Sequence, residues 1–171
     1  MGATYEPLSE FAELAKGCDP TEFGSRIGVP VFVIYPFSTG SDGEDATASV
    51  QTLFVSAERR QIDAVRVARI QKRGSANSFA DMVTIGRARN NDLVFKSPSV
   101  SKFHAYVRKG FDGNYSLTDA GSSFGTILNG AKLDARVATP LSARDEVLLG
   151  EAVRLVFVTP DLLHGFVSGQ G

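Results

Sequence analysis

Apolar positions recur along this chain in two rhythms, and the change from one to the other divides the sequence. The first 28 residues have helical spacing. Leu8, Phe11 and Leu14 follow Pro7 three apart, and Gly17 stands where a helix would stop. Asp19-Pro20-Thr21-Glu22 then supplies an N-cap acid, a proline at the first helical position and a capping-box glutamate, and Gly28 ends that second helix. Val29 to Tyr35 is a compact β-branched and aromatic run that predicts a strand. Ser38 to Ser49, polar, acidic and rich in glycine and serine, predicts a mobile loop, and Gln51 to Ser56 another short strand. Ala57 to Arg73 is basic and fits neither period cleanly, with Val65, Val67 and Ile70 tilting it towards strand.

From Met82 onward the rhythm is that of short strands. Apolar runs at Met82–Ile85, Leu93–Phe95, Phe103–Val107, Tyr115–Leu117, Thr126–Leu128, Val147–Leu149 and Val153–Val158 are separated by turn-forming residues. Spacing of about 8–12 residues between such runs predicts an antiparallel β-sandwich. Asn129-Gly130 is the strongest hairpin signal, because a type I′ turn needs positive φ at both central positions. Thr159-Pro160-Asp161 opens a short final helix through Leu162, Leu163 and Phe166.

Composition narrows the function classes. The chain has 171 residues and a formal net charge of −1, which gives no overall electrostatic footprint for nucleic acid or an anionic membrane. No apolar run is long enough to span a bilayer. Met1 to Leu14 carries three glutamates and no basic residue, unlike a secretory leader. With a single cysteine, Cys18, and two histidines, neither a disulfide framework nor a metal or cofactor site is expected. These features predict a cytoplasmic protein.

Three catalytic patterns fail on their own terms. Residues 125–132 approach a P-loop, but the lysine does not follow the second glycine and Leu133 occupies the position of the magnesium-binding hydroxyl. Ser101, His104 and Asp119 supply the residue types of a serine hydrolase, yet Ser101 lacks a G-x-S-x-G elbow. Acid pairs such as Asp145-Glu146 lie in polar turns that offer nothing to raise a pKa. What remains is a set of residues at strand–loop junctions: Arg87, Ser101, Lys102 and Ser123. Loops of a sandwich gather at its two ends, so these four can meet on one rim. A guanidinium fork, an ammonium and two hydroxyls make an anion cradle with neither a base nor a metal.

The order and spacing of Gly86-Arg87, Asn91-Asp92, Ser101-x-x-His104, Asp119-x-x-Ser122, Gly125-Thr126 and Asn129-Gly130 resemble the forkhead-associated (FHA) domain, a β-sandwich that recognises phosphothreonine peptides. The signature covers Ile85 to Gly130, and the strand rhythm extends it to about Ile62–Thr159. The resemblance implies that Arg87 contacts the phosphate, Ser101 hydrogen-bonds its oxygens, Lys102 adds charge, and Ser123 grips the phosphate or the threonine methyl region. It implies structural roles for Gly86, His104, Asn129 and Gly130. Phe124 stands where the family commonly has an asparagine that bonds the peptide backbone, so weaker or differently oriented binding is expected, with Phe124 packing on the ligand. Ser99, in the loop before Ser101, matches a position that selects the residue three after the phosphothreonine.

The expected architecture is therefore all-β: a two-sheet antiparallel sandwich of FHA type, with a short α/β N-terminal extension and a short C-terminal helix. Residues 1–60 form the accessory segment, carrying the mobile acidic loop at 38–49; residues 61–160 form the FHA domain, and 161–171 a helix and tail. The expected function is phosphothreonine-dependent recruitment of a protein in Ser/Thr-kinase signalling, either a kinase or its substrate, without catalysis, nucleic acid or membrane. The alternatives are a phosphate-independent scaffold and, remotely, a serine hydrolase.

Overall fold

A computed structural model describes residues 5–35, 64–74 and 77–169. The acidic loop expected at 38–49 and the strand expected at 51–56 lie outside the described residues.

Both N-terminal helices form. Helix α1 is Leu8–Lys16 and α2 is Pro20–Ile27. Asp19 caps α2 by accepting from the backbone N–H groups of Thr21 and Glu22, both at 2.9 Å. Gly28 closes it in the left-handed region at φ 73. Gly17 ends α1 differently, at φ −103, with its N–H donated to Leu14 O.

Twelve strands form two sheets among the described residues. They are β1 (Glu6–Pro7), β2 (Val31–Tyr35), β3 (Arg66–Arg69), β4 (Val83–Gly86), β5 (Leu93–Val94), β6 (Ala105–Lys109), β7 (Tyr115–Asp119), β8 (Thr126–Leu128), β9 (Ala131–Lys132), β10 (Thr139–Leu141), β11 (Glu146–Leu149) and β12 (Val153–Val158). The seven-stranded sheet runs β1-β3-β2-β12-β11-β8-β9 and the five-stranded sheet β10-β7-β6-β4-β5. All pairings are antiparallel except β4 with β5, which run parallel. The all-β sandwich is thus observed, with helix α3 (Pro160–Val167) closing the described chain.

Strand alternation explains two separate cores. In β2 and β12, Phe32, Leu155 and Phe157 point between the sheets, joining Ile85, Ala105, Val107 and Leu117 from the opposite sheet. Their neighbours Val31, Val33, Val156 and Val158 point outwards, where Leu8, Phe11, Phe23 and Leu163 of the three helices cover them. A strand buried on both faces reads as a continuous apolar run, which is why Val29–Tyr35 shows no polar alternation. The helices do cover one sheet. Strand β2 is hydrogen-bonded between β3 and β12, so the sandwich draws on chain from both sides of residue 60.

The strands absent from the sequence reading are the two- and three-residue edges β1, β9 and β10, too short to show a period. Pro7 and Pro140 sit in the outermost strands β1 and β10, where a missing N–H costs no ladder bond. Asn129 (φ 50) and Gly130 (φ 82) make the expected two-residue hairpin, pairing Leu128 with Ala131. Among the described residues, no helix is long and apolar enough to cross a membrane.

Candidate functional site

The rim of the sandwich at the ends of β4, β6 and β7 is held by backbone bonds between sequence-distant loops. Arg87 N donates to Ser101 O at 2.9 Å and Ala88 N to Lys102 O at 3.1 Å. Asn91 ties the same turn together, its Nδ2 donating to Ala88 O at 2.8 Å and Lys102 O at 2.7 Å. Gly86 is required by this packing: a Cβ there would overlap the Lys102 carbonyl oxygen and stand 2.9 Å from Asn91 Nδ2.

His104 joins this loop to the next one. It is fully buried, and its Nδ1 accepts the Ser101 N–H at 3.0 Å. Nδ1 being an acceptor, Nε2 carries the proton and donates to Gly125 O at 3.1 Å. Burial pushes the imidazole below its ordinary pKa of 6.5, against the Gly125 bond and the Asp119 charge, which favour the protonated form. A neutral histidine in one tautomer therefore spaces the Ser101 loop from the Gly125 loop.

Asp119 shapes the second loop. Its Oδ1 accepts the N–H groups of Gly121 and Ser122 at 2.8 and 2.9 Å, and its Oδ2 accepts Ser122 Oγ and Thr126 Oγ1, both at 2.6 Å. Burial alone would raise this carboxyl, yet the four bonds hold its pKa below the ordinary value. The chain then emerges with Ser123 beside Ser101: Ser123 N donates to Ser101 Oγ at 3.0 Å, and the two hydroxyl oxygens lie 3.5 Å apart.

Arg87 completes the cluster. Its Nε donates to Val100 O at 3.1 Å, which fixes the guanidinium beside the Ser101 loop. Its two terminal nitrogens make no hydrogen bond or ion pair among the described residues, and neither does the exposed ammonium of Lys102. Of the residues singled out from sequence, Arg87, Ser101 and Ser123 thus come together, with Lys102 adjoining them in the chain. Phe124 is half exposed beside Ser123. Ser99 does not join: it is almost buried, its Oγ is shared with Ser97 Oγ at 3.1 Å, and a Cβ on Gly150 would strike its carbonyl. Asn129 is a turn residue, its Nδ2 donating to Asp145 and its Oδ1 accepting the Glu146 N–H.

The hydrolase arrangement is not assembled. The His104 nitrogen nearest Ser101 is bonded to its backbone N–H rather than its hydroxyl, and Asp119 spends both oxygens on its own loop. Two further groups shape the surroundings of the rim without a local sequence signal that assigns them a role. Asp92 is a buried hub that accepts Lys72 Nζ at 2.7 Å, the N–H groups of Arg73 and Thr84 at 2.8 Å, and an Asn77 Nδ2–H at 3.1 Å. Burial works to raise its pKa, but these donors prevail and hold it at about 2. Lys132 and Arg136 flank the Gly121–Gly125 loop; nothing in the local sequence pattern marks them.

An FHA domain family model matches residues 83–150. An FHA domain-containing protein of Arabidopsis thaliana is 33% identical over 82 residues, covering 46% of this chain and 21% of its own length. The chain therefore spans about a fifth of that relative. Among solved structures, the MEK1 FHA domain in complex with a HOP1 phosphothreonine peptide is 27% identical, covers 54% of this chain and 87% of its own, and superposes with a TM-score of 0.44. The FHA domain of CT664 from Chlamydia trachomatis is 18% identical, covers 75% and 96%, and gives 0.49. Residues 83–150, which hold Arg87, Ser101 and Ser123 on one rim, belong to the FHA domain family.

Proposed function

We propose that this protein is a phosphothreonine-dependent interaction module. It recruits a Thr-phosphorylated protein, a Ser/Thr kinase or its substrate, in cytoplasmic signalling and without catalysis. The observation that carries this reading is the convergence of Arg87, Ser101 and Ser123 within an FHA domain, with the terminal guanidinium nitrogens free of partners among the described residues. A phosphothreonine brings about −1.5 to −2 charges and three acceptor oxygens. Arg87 meets two of these oxygens at once, the Ser101 and Ser123 hydroxyls serve as neutral donors, and Lys102 contributes a nearby charge. The preformed loops, spaced by His104 and Asp119, keep the ordering cost of binding low.

The half-exposed Phe124 favours a second reading, a scaffold that binds its partner without phosphate. An aromatic ring at this position supplies contact area to a ligand but no hydrogen bond to its backbone. Titration of the wild type and Arg87→Ala against an oriented phosphothreonine peptide library and its unphosphorylated twin separates the two. Phospho-selective binding weakened by about 2–5 kcal/mol in the variant is expected. Equal binding of both libraries would favour the scaffold.

A further inference from the structure

The loop that presents Ser123 and Phe124 is bracketed by two cations. At its far end, Gly125 (φ 87) lies beneath Lys132, and a Cβ there would stand 2.5 Å from Lys132 Cε and 3.2 Å from its Nζ. The lysine stem therefore covers Gly125 and carries the ammonium past it towards solvent. At the near end, a Cβ on Gly121 would sit 3.8 Å from both Nε and Nη2 of Arg136. Arg136 holds φ 66, in the left-handed region that disfavours any residue with a β-carbon, while its N–H is anchored on Asp119 O at 2.8 Å. Both side chains are exposed, and neither makes an ion pair or side-chain hydrogen bond among the described residues. Asp134 lies between them in the chain and pairs with neither. Two positive groups thus stand on the Ser123–Phe124 side of the cradle, apart from Arg87 and Lys102 on the other.

We propose that Lys132 and Arg136 form a second anion contact that selects ligands bearing a further negative group, a carboxylate or a second phosphate, close to the phosphothreonine. This rests on the phosphothreonine reading above and names the class of ligand that the site prefers. Arg136 in place of a glycine at a positive-φ position puts a cation where the backbone alone would favour no side chain. Phe124, half exposed, lies in the chain between Ser123 and Gly125 and so within the bracketed loop.

Three fluorescein-labelled phosphothreonine peptide libraries test this by anisotropy: one with neutral flanks, one with a single Glu or Asp at varied positions, and one with a second phosphothreonine. The wild type is expected to favour an anionic flank over the neutral library by about three- to five-fold at low salt, less at high salt. In Lys132→Gln with Arg136→Gly that ratio falls to about one, and Arg136→Gly keeps the thermal midpoint because glycine suits φ 66. Which anionic library carries the gain identifies carboxylate or phosphate as the source. A wild-type ratio of one, or a ratio unchanged in the double variant, overturns the inference while leaving phosphothreonine binding intact. Failure of the wild type to discriminate the neutral phosphorylated library from its unphosphorylated twin overturns the underlying reading and this inference together.

Discussion

His104 shows how one buried side chain can set the geometry of a recognition rim. Its two nitrogens bond groups from different loops, the Ser101 N–H and the Gly125 carbonyl, and the first of these bonds needs Nδ1 unprotonated, hence the neutral ring. The linkage follows from its lowered pKa. An unfolded chain takes up a proton near the ordinary 6.5, while the folded one resists until a lower pH. The unfolded state then binds more protons, so stability is fully present above about pH 6.5 and is lost as pH falls below it. Urea midpoints compared at about pH 7.5 and about pH 5.5 should be lower at the acid value. His104→Gln should cost about 1–3 kcal/mol at the higher pH and flatten the difference. A wild-type midpoint equal at both pH values would count against this role. The carboxylates act in a separate window: Asp92, held at about 2, contributes stability that is lost only as pH drops from 3.8 towards that value.

Among the elements, the end of β4 places Arg87. Strand β4 is clamped between β5 and β6, and Gly86 lets its last residue approach the Lys102 carbonyl. Gly86→Ala would drive the 101–104 segment outward, costing about 1–3 kcal/mol and separating Arg87 from Ser101. A thermal melt and phosphopeptide titration check both effects; unchanged values in each would show that the rim tolerates the extra carbon. Elements of this kind were legible in the sequence where a pattern was long enough to carry a period. The two N-terminal helices, Val31–Tyr35 and the Asn129-Gly130 hairpin all follow from local chemistry. The short edge strands were not legible, because pairing rather than propensity makes them. The site shows the same division. Arg87, Ser101 and Ser123 come together at junctions that turn signals mark, whereas Ser99 is nearly buried and packs closely on Gly150, a contact across the fold that no local pattern contains. Arg136 likewise adopts a backbone conformation that its residue type argues against.

On the scale of the whole molecule, the N-terminal segment is bound into the sandwich at its centre. Strand β2 pairs on both sides, and Val31 and Val33 join a second core beneath α1, α2 and α3. A fragment of residues 57–171 would lose that strand, leaving β3 and β12 with open edges and an uncovered apolar face. It is expected to be aggregated or unfolded by size-exclusion chromatography and circular dichroism; a monomeric fragment as stable as the full chain would contradict this. The same integration keeps the rim rigid, since the strands that end there belong to one continuous core. The most direct test of the phosphate cradle is a two-dimensional amide and arginine-Nε NMR titration of the full chain with a phosphothreonine peptide selected from the library. The expected result is that shifts concentrate at Arg87, Ser101, Lys102 and Ser123, saturate with the phosphopeptide, and vanish with its unphosphorylated twin. Shifts of equal size with both peptides, or shifts centred away from these four residues, would contradict it.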